Sequence, residues 1–96
     1  MAKTISWTSQ AREDYRDIIS YLLDKSSFAI ADKFTTHIDE ILELLKLHND
    51  LGMALDRLTS LRKINVQPNF TLFYSNTDER IVILNILDNR SRPQIV

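Results

Sequence analysis

The sequence has no cysteine and a single glycine, Gly52, among 96 residues. Without thiols there are no disulfides, no thiolate nucleophile, no iron–sulfur cluster and no cysteine-based zinc site. One glycine cannot build either of the common phosphate-cradling loops. No apolar run reaches six residues, far short of a membrane-spanning helix, and no charged-then-apolar export signal opens the chain. Neither sign of charge prevails, since 12 Lys/Arg stand against 13 Asp/Glu for a net charge of −1. A small domain that lives on nucleic acid usually has a basic excess, because phosphate neutralisation dominates its affinity. Apolar residues at 44% and charged residues at 26% are ordinary globular values that exclude a disordered tail or a fibrous repeat. The expectation is one soluble, cytoplasmic domain over residues 1–96, with a thin core.

Charge is spread unevenly. Residues 1–48 hold six Lys/Arg against eight Asp/Glu, whereas residues 57–74 hold Arg57, Arg62 and Lys63 and no acid. Arg90 and Arg92 follow near the end, so any anion-binding patch belongs to the second half.

Lys3 to Thr8 alternates, with Ile5 and Trp7 on one side, and predicts a short half-buried strand. Ser9 is the expected N-cap of a helix over 9–25, with Glu13 and Asp14 in or near its first turn. Ala11, Tyr15, Ile18, Ile19 and Leu22 form its apolar face. Ser26 and Ser27 break the period and offer a second cap. Ala31, Phe34, Ile38, Ile41, Leu42 and Leu45 then predict a second helix over 28–48, antiparallel to the first. Asn49 to Asp56 is expected as loop, Leu58–Val66 as strand and Pro68-Asn69 as turn. Phe70–Ser75 is a third strand, Asn76–Glu79 closes a hairpin, and the nearly all-apolar Ile81–Leu87 is a central strand. Asp88–Val96 is left as a polar tail. The fold class is α+β in the order β-α-α-β-β-β: a helical hairpin on a mostly antiparallel four-stranded sheet, the first strand pairing with the last.

Few residues assemble into recognisable chemistry. His37 and Glu40 share a helix face with Asp39 and Glu43 nearby, but zinc needs three or four convergent ligands and His48 lies three turns away, so no metal is expected. No G-x-S-x-G turn is present. Asp39 and Glu40, being adjacent, diverge around their helix. The second helix has a further apolar stripe, Ile30, Leu44 and Leu47, which either completes the core or receives a partner. Arg62, Lys63, Arg90 and Arg92 are the candidate anion- or target-binding groups, expected to meet at one edge of the sheet. Scattered surface charge is the plainer account of the same four residues.

The order of segments is itself informative. A strand I-S-W-T is followed by S-Q-A-R-E-D-Y-R-D-I-I-S-Y-L, then A-I-A-D-K-F, I-D-E-I-L-E-L-L and Gly52. The chain closes with L-R-K-I-N-V, N-F-T-L-F-Y, R-I-V-I-L-N-I-L and D-N-R-S-R-P. Over nearly its full length this pattern resembles the RelE/ParE family of toxins of bacterial type II toxin–antitoxin systems, the plasmid stabilisation proteins. The resemblance implies a cognate antitoxin as partner, no cofactor and no membrane. It also implies one of two mechanisms: messenger RNA cleavage on the ribosome in RelE-like members, or inhibition of DNA gyrase in ParE-like members.

Carried over by position, Lys63 fits a basic site of the nuclease-type members and Arg90 the Arg after the last strand, with Arg92 two beyond. Asn65 and Thr71 stand where further basic residues are frequent, and Val96 falls near the usual tail Tyr. Cleavage needs a group to move a proton at the 2′-hydroxyl as well as cations for the phosphorane, and no His or Tyr is present in the tail to do so. A ParE-like toxin acting on a protein target is therefore the preferred expectation, with Arg62, Lys63, Arg90 and Arg92 on the target and Tyr15, Ile30, Leu44 and Leu47 on the antitoxin. The alternatives are a metal-independent, ribosome-dependent endoribonuclease using Lys63, Arg90 and Arg92, and a non-toxic interaction module.

Overall fold

The computed structural model describes residues 2–57 and 60–90. Its elements are β1 (Thr4–Trp7), α1 (Ser9–Lys25), α2 (Phe28–Leu47), β2 (Met53–Ala54), β3 (Leu61–Val66), β4 (Phe70–Asn76) and β5 (Arg80–Asp88). The sheet has five strands in the order β1-β5-β4-β3-β2. β1 runs parallel to β5 and every other neighbouring pair is antiparallel.

The expected fold class and the pairing of first strand with last are observed. The expected four strands become five, because Met53–Ala54, inside the segment read as loop, pairs with Lys63 and Arg62. Two residues are too few to show a period in sequence. β3 begins at Leu61 rather than Leu58; Leu58 and Thr59 lie outside the described residues, as do Ser91–Val96.

Thr8, not Ser9, caps α1. Its hydroxyl oxygen accepts from the Ala11 N–H at 3.0 Å and its O–H donates to the Leu84 carbonyl at 2.8 Å. With the helix starting one residue earlier than the cap reading assumed, no acid falls in its first turn. Asp14 serves the sheet instead, accepting the Ile86 N–H at 3.0 Å. Both bonds have one cause. The β4–β5 register shifts between Phe73, opposite Asn85, and Tyr74, opposite Ile83, so Leu84 is an extra residue. This bulge changes the parity of β5, and its buried positions run Ile81, Ile83, then Ile86. Thr8 and Asp14 occupy the backbone groups of β5 past the point where β1 stops. Of the two serines offered as a second cap, Ser27 caps α2, accepting from the Ile30 N–H at 3.2 Å.

Both helices cover the same face of the sheet. Phe34, Ile38, Ile41 and Leu45 of α2 and Ala11 and Leu22 of α1 bury themselves against Val66, Phe70, Leu72, Tyr74, Ile81 and Ile83. A file of rings, Trp7–Tyr15–Phe34–Phe70, crosses from the β1 edge to the centre with centroids 5.4, 5.9 and 5.1 Å apart. The opposite face carries no helix among the described residues.

The capping geometry gives a direct test. Thr8→Ala should lower stability in urea denaturation by about 1–2 kcal/mol, whereas Ser9→Ala should change it by less than about 0.5 kcal/mol. Equal losses would contradict the assignment of the cap.

Candidate functional site

Successive strand residues point to opposite faces. On β3, Val66 is buried and Ile64 packs on the core, so Arg62 shares their helix-covered side while Leu61, Lys63 and Asn65 share the helix-free side. Arg62 and Lys63, expected to act together, are thereby separated.

Arg62 is tied into the fold. Its guanidinium donates to the Gly52 carbonyl at 2.7 Å and the Asp50 carbonyl at 3.2 Å. Opposite it in register, the fully buried Tyr74 accepts the Gly52 N–H at 2.8 Å and donates its hydroxyl proton to the Asn49 carbonyl at 3.0 Å. Burial raises the Tyr74 phenol above its ordinary value, opposed by the Gly52 bond and the Arg62 charge. Gly52 is required by close approach, since a Cβ there would stand 2.6 Å from the Lys63 carbonyl oxygen and 2.8 Å from the Tyr74 ring. This clamp fixes the loop that leads into β2.

Lys63 lies on the helix-free face, in a row Met53–Lys63–Phe73–Asn85 set by register. The flanking rows are Leu61–Ser75–Val82–Ser6 and Asn65–Thr71–Leu87, and Arg80, paired with Thr4, marks the β1 side. These rows contain cations, amides, hydroxyls and apolar side chains, with no carboxylate, histidine or tyrosine. Leu87 is half exposed and Met53 more so. Arg80 is the functional candidate that the sequence reading missed. It sits beside the apolar run of β5, and alternation from the buried Ile81 places it on this face.

Arg90 lies elsewhere. Its backbone N–H and Nε both donate to Asp88 Oδ1, at 2.9 and 3.3 Å, and Nη2 donates to Oδ2 at 3.3 Å. The guanidinium carbon is 6.0 Å from the Tyr21 ring centroid on α1. Burial acts to raise the Asp88 carboxyl, but the Arg90 bonds and charge, with the bond from Asn69, outweigh it and hold the group below 3.8. Asp88 in turn raises the Arg90 guanidinium. From Lys63 to Arg90 is two strands across and five residues along, about 20 Å by strand spacing and rise. The described residues thus do not bring Arg90 beside Lys63, and Arg92 lies outside them.

The expected antitoxin stripe also divides. Tyr15 is half-buried between Trp7 and Phe34, and burial, then Asp39, raises its phenol. Ile30 packs against the core, whereas Leu44 and Leu47 are exposed at the far end of α2.

A family model for the ParE toxin of type II toxin–antitoxin systems, parDE, matches residues 5–93. The chain belongs to the ParE toxin family. Its fold is shared with solved toxins at low identity. The chromosomal ParDE system of P. aeruginosa aligns at 20% identity over 91% of this chain and 96% of that one, TM-score 0.69. The Staphylococcus aureus YoeB dimer aligns at 22% over 91% and 97%, TM-score 0.65. The E. coli DinJ–YafQ complex aligns at 16% over 92% and 93%, TM-score 0.61. No curated protein matches the sequence.

For this ParE-family chain, the Asp88–Arg90 pair sets a pH signature. A carboxylate lowered in the folded state adds stability that is present above its unfolded value and lost as pH falls through the folded value. Urea midpoints of the native chain should exceed those of Asp88→Asn by a constant margin from about pH 5 upward, and the margin should fade below 3.8. A margin that grows on acidification would contradict the pairing.

Proposed function

We propose that this toxin acts by binding a protein target through the helix-free face of its sheet and is held inactive by a cognate antitoxin. DNA gyrase is the target that the family resemblance implies, and the bacterial cytoplasm is where both partners would be met. The observation that carries this reading is the composition of that face. Lys63 lies in one row with Phe73 and Met53, and Arg80 stands at the far end of the same face beside Val82, Asp78 and Glu79, a mixed charged and apolar surface of the kind that protein interfaces use. Those rows contain no carboxylate, histidine or tyrosine to serve as a second proton-transfer group in strand-breaking chemistry on RNA. Arg90, about 20 Å from Lys63 by strand spacing and rise, is bound to Asp88. The structures of the P. aeruginosa ParDE system and the DinJ–YafQ complex support the antitoxin half of the proposal.

Purified protein should block supercoiling by gyrase and leave messenger RNA intact in a translation extract. Lys63→Glu and Phe73→Ala should each weaken that block about tenfold or more, as truncation of an interface anchor does, with urea midpoints little changed. Messenger RNA cleavage that is lost in Arg90→Ala would replace this mechanism with a ribosome-dependent nuclease. Inactivity in both assays would leave an interaction module.

A further inference from the structure

The file of rings that crosses the core is open at its Trp7 end. Trp7 and Tyr15 meet edge to face, with centroids 5.4 Å apart and planes at 68°. In such a pair one ring turns only its edge to the other, so its faces stay free for a third ring. Both rings are half-buried. They line a hollow of about 330 Å³ whose remaining walls are Arg12 and Arg16 of α1.

The two arginines are exposed and stand one helical turn apart on the same stripe. Neither guanidinium has an ion-pair partner among the described residues. Like charges at this spacing repel, so an anion that bridges them relieves the helix. Other cations are engaged within the fold. Arg62 holds the Gly52 carbonyl, Arg90 holds Asp88, Lys46 holds Glu43, and Lys3 holds Asn76 and the Thr77 carbonyl. No carboxylate lines the hollow. Asp39 and Glu43 line the adjoining groove between β1 and α2, where the lysines are the engaged Lys3 and Lys46.

We propose that this hollow is a binding site for a nucleoside monophosphate. The base stacks on the free ring face of the Trp7–Tyr15 pair. The phosphate lies between Arg12 and Arg16, whose planar forks present parallel N–H donors to its oxygens. Size and charge both select a single nucleotide. A volume of about 330 Å³ is at the small end of ligand sites, and Asp39 and Glu43 next door would repel the following phosphate of a longer nucleic acid. The site is separate from the target reading, because Lys63 and Phe73 lie on the helix-free face and the hollow lies between β1 and α1.

Trp7 is the only tryptophan of the chain, so its fluorescence reads the hollow directly. Titration of the purified chain with adenosine monophosphate should quench that emission along a saturating curve, half-complete at about 1 mM or below. Arg12→Gln with Arg16→Gln should weaken binding about tenfold or more. Lys25→Gln with Lys33→Gln, which removes the same charge elsewhere on the helices, should change it by less than about twofold. Adenosine by direct titration, and inorganic phosphate by competition, should each bind at least about tenfold more weakly than the nucleotide. The urea midpoint should rise with nucleotide concentration in the native chain and not in the arginine variant. Quenching that does not saturate by about 10 mM, or equal affinity in the arginine variant, would overturn the site. Adenosine or inorganic phosphate binding as tightly as the nucleotide would overturn the ligand class.

Discussion

The buried hydroxyl of Tyr74 joins the middle of β4 to the loop after α2, and the faces of β3 depend on it. Tyr74 accepts the Gly52 N–H and donates to the Asn49 carbonyl, while Arg62, opposite it, holds the Gly52 and Asp50 carbonyls. Together these bonds fix which residue of the Arg62–Lys63 pair faces the helices. A slip of one residue would exchange them, turning Lys63 onto the core side and leaving the loop without its guanidinium. The charge of the helix-free face is therefore a consequence of a hydrogen-bonded clamp on the other side of the sheet.

Much of this architecture is legible in the sequence. The two helices announce themselves by apolar residues three and four apart, from Ala11 to Leu22 and from Ala31 to Leu45. Ser26 and Ser27 both read as possible caps, and Ser27, which directly precedes the period, is the one that caps. Thr8 does not, because it looks like the last residue of an alternating strand, and its second role, donating to the Leu84 carbonyl, joins segments 76 residues apart. β2 is invisible, being two residues long, and the bulge at Leu84 hides in a run that is apolar from Ile81 to Leu87 except for Asn85.

The candidate site was less legible. Adjacent residues Arg62 and Lys63 suggest a shared patch, yet strand alternation sends them to opposite faces. Arg90 suggests a free cation, yet Asp88 two residues before it occupies the guanidinium. Arg80 lies just outside the apolar run, and its face follows from the burial of its neighbour Ile81. In each case the deciding fact is which side of a strand faces the core or a short-range ion pair, neither of which a list of residue types contains. The two outer surfaces of the sheet now have distinct characters. One is a broad face whose paired rows carry cations and no carboxylate, with Asp78 and Glu79 beside Arg80 at its margin. The other is the β1 margin, where Trp7 and Tyr15 lie beside Arg12 and Arg16.

The most direct test of the central claim is site-specific photo-crosslinking in cells. A benzophenone side chain placed at Phe73, on the helix-free face, should give an adduct with a gyrase subunit. The same probe at Leu23, exposed on α1, should give none. Crosslinks to gyrase from Leu23 but not from Phe73, or crosslinks from Phe73 to ribosomal components, would contradict the account.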